Sequence, residues 1–203
     1  MLRVLVTGFE PFNNAKLNPS ESLVTRLNSN DVAGAEIITK VLPVVYSKSA
    51  TELLDLIDEY QPDVVLCFGQ VAGRKEISIE RFAVNLDDAS IADNAGSKRV
   101  DQKIKVDGPA AFTSTLPVTD LVNTLNGKGI PSGASLSAGS FICNHIFYEM
   151  QFALAGTSVK SGFIHIPLMD EQQEEFPGLF TMPLDQMILA SKIIISELVA
   201  SSN

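Results

Sequence analysis

The chain has 203 residues, of which 45% are hydrophobic and 19% are charged, and this composition supports a buried core and excludes a mainly disordered protein. Its formal net charge of −9 argues against a surface for nucleic acid or anionic membranes, which would need a basic face. Two cysteines and two histidines exclude a disulfide scaffold, and a zinc site built from these residue types would need all four together.

Strand-like and helix-like segments alternate along the chain, which is the pattern of an α/β layered domain. In chain order, we predict strand 3–7, a helix from the N-cap Asn18 to about residue 28, strand 36–45, helix 49–60, strands 63–68 and 77–86, helices 119–125 and 143–155, strand 163–167 and helix 184–199. Strand 77–86 alternates like an exposed or hairpin strand, and residues 87–109 form a polar loop of the kind that often carries function. No linker is visible, so we expect residues 1–203 to form a single domain.

The apolar run at residues 1–7 is too short for a signal-peptide core, and no apolar run approaches the roughly 20 residues that span a bilayer. Free thiols without a secretory signal are typical of a reducing compartment. We therefore expect a cytoplasmic protein without a membrane partner.

The two thiols lie in different contexts. Cys67 is inside a predicted buried strand, where cysteine behaves as a small hydrophobe. Cys143 opens a predicted helix, and the unsatisfied N–H groups at a helix start favour the thiolate and lower the thiol pKa. The pattern favours Cys143 as a nucleophile, although a structural cysteine near a helix start is common.

Only two histidines could serve as a base for such a thiol. His145 follows Cys143 by two residues, which on a helix turns it about 200° away, so we expect a packing or surface histidine. His165 lies in a predicted strand just before Pro167, near the sheet edge where ligand sites gather in α/β folds. By elimination, the candidate pair is Cys143 with His165, although a histidine on an apolar strand is often a core residue.

Glu80 is the candidate for the group that orients the imidazole, because a carboxylate is costly in a strand of apolar and β-branched residues unless it has a partner. An ion pair with Arg74 or Arg81 explains the same residue equally well. The sequence leaves both explanations open.

Two glycine-containing turns add weaker evidence. Gly8 is followed by Phe9 and Phe12 at a strand end, and Gly69 is followed by Gln70 at another. Neither turn matches a phosphate-binding or dinucleotide-binding pattern, so no nucleotide is indicated. The two phenylalanines are either core residues or the wall of a pocket.

Seven blocks spread over most of the chain carry a family resemblance: VLVTGFEPF (4–12), NPS (18–20), GRKEISIERFAVNL (73–86), DNAGS (93–97), DGPAAFTSTLP (107–117), SAGSFICNHIFYEM (137–150) and SGFIHIPLMDEQ (161–172). In this order they resemble the pyroglutamyl peptidase I, or pyrrolidone-carboxylate peptidase, family. The resemblance implies a three-layer α/β/α sandwich around a twisted mixed, largely parallel sheet. It also implies a cysteine peptidase, without cofactor or metal, that removes N-terminal pyroglutamate from peptides through a thioester, and a homotetramer.

The resemblance assigns the site residue by residue. It implies that Cys143 is the nucleophile, with His165 and Glu80 as its catalytic partners. It implies that the lactam ring is held among aromatic and aliphatic side chains and that a glutamine hydrogen-bonds it; these residues are Phe9, Phe12, Ile91, Phe141, Ile142 and Gln70.

Two positions depart from the family pattern. Ser90 stands where family members usually carry an arginine thought to assist the oxyanion site, and Ala72 replaces a glycine. An active enzyme with a slowed rate is therefore expected, since one lost oxyanion donor costs about 10²–10³ in rate. Two other functions remain as alternatives: a binding protein that keeps the lactam slot but catalyses weakly, and a purine-nucleoside-type transferase.

Overall fold

A central sheet lies between two layers of helices in the computed structural model, which describes residues 1–202. The strands are β1 (Leu2–Phe9), β2 (Ala35–Leu42), β3 (Val64–Gln70), β4 (Ile77–Glu80), β5 (Phe82–Val84), β6 (Ala111–Thr113), β7 (Ser132–Ser135), β8 (Lys160–Ile166), β9 (Leu168–Met169) and β10 (Thr181–Met182). The helices are α1 (Pro19–Arg26), α2 (Tyr46–Tyr60), α3 (Val118–Gly127), α4 (Ile142–Ala153) and α5 (Leu184–Ala200).

The main sheet has six strands in the order β2-β1-β3-β8-β4-β7. All neighbours are parallel except β4 and β8, which are antiparallel, so the sheet is mixed and largely parallel as expected. The remaining strands form two small pairs: β5 with β6, and β9 with β10.

Two hydrophobic clusters cover the two faces of the sheet. Because successive strand residues point to opposite faces, Val64 and Leu66 of β3 pack on one side while Val65 and Cys67 pack on the other. Helices α1, α3 and α5 cover the first face, and α2 and α4 cover the second. This arrangement is the three-layer sandwich that the family resemblance implied.

The predicted helices and most predicted strands are confirmed, with shifted ends. The Asn18 side chain accepts from the Ser20 N–H at 3.0 Å and so forms the predicted N-cap of α1. The prediction of a single strand at 77–86 was wrong, because the chain leaves the main sheet after Glu80 and pairs its next residues with β6 instead. Four short strands (β6, β7, β9 and β10) were not predicted, since segments of two to four residues show little periodicity.

Among residues 1–202, no helix is long and apolar enough to cross a membrane.

Candidate active site

Helix α4 begins on the second face of the sheet and presents Cys143 in its first turn. The thiol lies directly over Gly69 of β3: a Cβ at that glycine would be 2.9 Å from Sγ of Cys143 and 2.8 Å from Cζ of Phe163. Gly69 also stands beside His165 in the parallel pairing of β3 with β8. The missing side chain of Gly69 therefore provides the space in which the thiol approaches the histidine strand.

Strand alternation brings His165 and Glu80 to that same face. His165 is two residues from Phe163, which packs in the α2/α4 cluster, and it pairs with Ser78 across the antiparallel β4–β8 ladder. Glu80 follows Ser78 by two residues and is a diagonal neighbour of the histidine. Nδ1 of His165 lies 2.8 Å from Oε1 of Glu80, and both residues are buried.

Both sequence explanations of Glu80 apply. Arg74 donates to the same Oε1 at 2.8 Å, and its other terminal nitrogen donates to the Ser137 carbonyl at 3.1 Å. Arg81 instead donates to Thr119, away from Glu80. Oε2 of Glu80 is buried without a hydrogen-bond partner in the part of the chain that the structure describes. One carboxylate oxygen thus serves both the imidazole and the guanidinium.

The hydrogen bond to Glu80 determines which imidazole nitrogen is available. A carboxylate accepts, so Nδ1 carries the proton and Nε2 retains its lone pair when the ring is neutral. Within residues 1–202, the thiol of Cys143 and the imidazole are not joined by a hydrogen bond. Such contacts are often loose in the absence of substrate.

Burial sets the protonation state of the pair. It raises the pKa of the Cys143 thiol to about 12, and the nearby Glu80 carboxylate acts in the same direction. Burial also lowers the pKa of His165, against the opposing effects of the Glu80 hydrogen bond and charge. The prediction that the helix start lowers the thiol pKa was therefore wrong in its net direction, because backbone N–H stabilisation is outweighed by desolvation.

His145 is held by a different carboxylate. Its Nδ1 lies 2.9 Å from Oδ2 of Asp87, and Arg99 donates to the same oxygen at 2.7 Å. Its ring packs edge-on against Tyr46, with centroids 5.3 Å apart. His145 is thus a buried packing residue rather than a surface histidine, and it has its own acid partner.

The cavity beside Cys143 is largely apolar. Its lining residues are Phe9, Phe12, Asn18, Val44, Gln70, Phe141, Ile142 and Cys143. Five of the six residues assigned to the lactam pocket from the sequence are therefore together at the thiol. The rings of Phe12 and Phe141 pack against each other in its wall, tilted by 45° with centroids 6.2 Å apart.

Ile91 is the exception among the assigned pocket residues, since it does not line this cavity. The polar loop that carries it is anchored by the N–H of Asn94, which donates to the Val44 carbonyl at 2.9 Å, and by Asp93, which accepts from the Tyr46 N–H at 3.0 Å. With the loop held there, Val44 rather than Ile91 contributes to the wall.

Asn18 and Val44 were missed by the sequence reasoning. Asn18 was predicted only as a helix cap, and that role gives no sign that it also reaches a cavity. Val44 follows a strand and resembles any core valine in sequence. No group of three or more His, Cys, Asp or Glu within residues 1–202 could hold a metal ion.

A thiol at a helix start, beside an imidazole that a buried carboxylate orients, is the arrangement typical of cysteine-type hydrolases on an α/β fold. The family model described as pyroglutamyl peptidase matches residues 2–201. The chain therefore belongs to the pyroglutamyl peptidase family.

Named relatives and solved structures agree with this assignment. The chain is 45% identical over 197 residues to pyrrolidone-carboxylate peptidase 1 of Ralstonia nicotianae, covering 96% of this chain and 92% of that protein. It is 43% identical over 186 residues to pyrrolidone-carboxylate peptidase of Bacillus thuringiensis, covering 91% and 86%.

Solved structures show the same fold. Pyroglutamyl peptidase I from Bacillus amyloliquefaciens superposes with a TM-score of 0.94 at 37% identity, covering 98% of both chains. A mutant pyrrolidone carboxyl peptidase from Pyrococcus furiosus superposes with a TM-score of 0.93 at 37% identity, covering 98% of this chain and 99% of that one.

Proposed function

We propose that this chain removes N-terminal pyroglutamate from peptides, with Cys143 as nucleophile, His165 as general base and acid, and Glu80 as the group that orients and stabilises the imidazole. The observation that carries the proposal is that Cys143 lies in the wall of a small apolar cavity and at the same time over Gly69, beside His165. Substrate recognition and the nucleophile are thus at one place.

The cavity suits the pyroglutamyl ring, which is flat and uncharged. Apolar walls from Phe9, Phe141 and Ile142 favour such a ring, and Gln70 supplies a polar contact. An ordinary peptide would have to bury its terminal ammonium in this cavity without a counter-charge, and the cost of that burial excludes it. The selectivity therefore follows from desolvation rather than from a charged anchor.

Catalysis starts from a neutral pair, since burial holds the thiol protonated and the imidazole neutral. As Sγ attacks the carbonyl that joins pyroglutamate to the next residue, Nε2 of His165 takes the thiol proton, and the Glu80 carboxylate stabilises the imidazolium. The imidazolium then protonates the leaving amine, and the C–N bond breaks to give a thioester. Water, deprotonated by His165, then attacks the thioester; the C–S bond breaks to release free pyroglutamate, and the proton on His165 returns to Sγ of Cys143.

The oxyanion that forms during attack needs a hydrogen-bond donor. The backbone N–H of Cys143 lies in the first turn of α4, where N–H groups have no partner within the helix. We assign it as an oxyanion donor.

Ser90 is expected to affect the rate of catalysis rather than the type of reaction. Its side chain is exposed, and it is not part of the cavity lining. If the arginine usual at this position contributes an oxyanion contact, Ser90→Arg raises kcat/KM on a pyroglutamyl amide. An unchanged kcat/KM would show that this chain does not need the contact.

Hydrolysis of a fluorogenic pyroglutamyl amide, measured beside the glutamyl and prolyl amides, tests the function directly. We expect cleavage of the pyroglutamyl amide alone, abolished in Cys143→Ser and in protein alkylated with iodoacetamide. Cys67→Ala is the matched control, because the second thiol is buried in the core and its loss should leave turnover intact. Full activity in Cys143→Ser would refute the nucleophile, and lactam binding without turnover would indicate a binding protein.

Three broader properties belong to the same proposal. Residues 1–203 form one catalytic domain, since strands from both halves of the chain alternate in one sheet. A cytoplasmic location agrees with two free cysteines. A homotetramer agrees with the exposed Leu189 on the apolar helix α5, and light scattering after size exclusion measures it.

A further inference from the structure

Gln172 is a fully buried glutamine next to Gln70, and both the oxygen and the nitrogen of its side-chain amide form hydrogen bonds. Its Oε1 accepts from the backbone N–H of Met169 at 3.1 Å. Its Nε2 donates to the backbone carbonyl of Leu17 at 3.2 Å and to Oε1 of Gln70 at 2.9 Å.

Two of these partners are backbone groups, which cannot exchange donor and acceptor roles. A flipped Gln172 amide would put its NH₂ against the Met169 N–H and its oxygen against the Leu17 carbonyl. The backbone therefore fixes the orientation of Gln172, with the nitrogen toward Gln70.

That orientation fixes the next amide in turn. Since Gln172 donates, Gln70 accepts through Oε1, and its own Nε2 is left without a hydrogen-bond partner within the described residues. Gln70 lines the cavity beside Cys143. The polar group that the Gln70 side chain can still offer a ligand is consequently an N–H donor, not a carbonyl acceptor.

We propose that Gln172 is a positioning residue that fixes the Gln70 amide so that the cavity offers an N–H donor to the lactam carbonyl of the substrate. This inference rests on the proposed function. It specifies the recognised group as a ring carbonyl, which a lactam carries and a proline ring lacks. Recognition by a fixed donor gives strong discrimination, because a ring without the acceptor leaves the donor unpaired in an apolar cavity.

A purely structural role for Gln172 is the competing explanation, because its bonds to Leu17 and Met169 also tie two segments together. The two explanations differ in one respect. If Gln172 acts through Gln70, its removal has an effect only while the Gln70 amide is present. A structural defect would reduce activity whatever residue occupies position 70.

The test is a double-mutant cycle with Gln172→Met and Gln70→Met, measured as kcat and KM on a pyroglutamyl amide. We expect Gln172→Met to lower kcat/KM about tenfold, mainly through KM, as for loss of one aligned hydrogen bond. In the Gln70→Met background, the same change should have less than about a twofold effect. An equal loss in both backgrounds, or no loss in either, would overturn the inference.

Gln173→Met is the matched control. It is the same substitution at the next residue, whose exposed side chain accepts a hydrogen bond from the Thr181 hydroxyl at 3.2 Å, and it should leave kcat/KM unchanged. Thermal unfolding of each variant shows whether it is folded.

Two further measurements test the inference if the protein does not cleave the amide or if Gln172→Met does not fold. Binding of the free lactam 2-pyrrolidone, compared between the native protein and Gln172→Met, reports on Gln172 without turnover. Native protein that fails to cleave the amide refutes the proposed function, whereas a weaker 2-pyrrolidone affinity in the variant still supports the inference. If Gln172→Met does not fold, the isosteric Gln172→Glu keeps the acceptor for Met169, and its other oxygen can donate to Gln70 only while the carboxyl is protonated. Its lactam affinity should fall as pH rises and the carboxyl ionises, and unchanged affinity across the neutral range would refute the role.

Discussion

Replacement of Glu80 by glutamine removes one charge from the proposed catalytic site while keeping the size of the side chain. In the native chain, Oε1 accepts from Nδ1 of His165 at 2.8 Å and stabilises the imidazolium that forms when the thiol proton is transferred. In Glu80→Gln the amide is neutral, and its NH₂ can donate to Nδ1 and favour the tautomer in which Nε2 carries the proton. We therefore expect a large loss of kcat/KM.

Two limits bracket the size of that loss. A hydrogen bond to a charged group contributes about 1.5 kcal/mol or more, which corresponds to about tenfold in rate. Full Coulomb attraction between imidazolium and carboxylate at the observed 2.8 Å is about 6 kcal/mol with an effective dielectric constant of about 20, or about 10⁴-fold. Arg74 already neutralises part of the same oxygen, so we expect an intermediate loss of about 10²–10³.

The assay is the pH dependence of kcat/KM on a pyroglutamyl amide. Burial lowers the pKa of His165 from 6.5, so the neutral base persists below that value and activity is lost only as pH falls through the lowered pKa. Glu80 raises this pKa, and its neutralisation should move the acid limb to still lower pH. Glu76→Gln, with the same charge change at an exposed neighbour, is the control. A loss below about twofold, or an acid limb at higher pH, would refute the reasoning.

Three other expectations concern the same site. Arg74 lowers the pKa of His165 through its charge, so Arg74→Met should move the acid limb of kcat/KM to higher pH; a shift to lower pH would contradict this. Gly69→Ala places a Cβ 2.9 Å from Sγ of Cys143 and should reduce kcat/KM about 10²-fold by displacing the thiol, whereas near-native turnover would show that the thiol has room. Because the pKa of Cys143 is raised to about 12, the native protein and Cys143→Ser should show the same ultraviolet thiolate absorbance at neutral pH; an excess in the native protein would indicate a preformed ion pair.

The lowered pKa of His165 also makes the stability of the folded chain depend on pH. The unfolded chain binds a proton at His165 near the ordinary pKa of 6.5, whereas the folded chain does so only at lower pH. Above pH 6.5, His165 is neutral in both the folded and the unfolded chain, so its ionisation does not affect stability. Below pH 6.5 the unfolded chain binds the proton more readily, so the folded state loses stability as pH falls.

Local sequence patterns were sufficient to predict those helices and strands whose start signals or periodicity are strong. Asn18 followed by Pro19 is a short-range start signal, and it marked α1 because capping depends on neighbours in sequence. The strand at 77–86 was predicted as one piece because alternation continues through it, whereas its break after Glu80 depends on strand partners distant in sequence. Pairing with strands distant in sequence is not visible in the local residue pattern.

The sequence by itself determined the α/β layering, the family resemblance and the shortlist of two thiols and two imidazoles, because composition, periodicity and motif order are properties of the chain alone. Only the tertiary structure decided that Glu80 serves both His165 and Arg74 and that burial raises the pKa of the Cys143 thiol. The physical reason is that a pKa depends on desolvation and on charges at a few ångströms, and these are created when β3, β4, β8 and α4 meet. Because the chain has only two Cys and two His, few candidate pairs of nucleophile and base were possible, and packing determined the chemistry of Cys143 and His165.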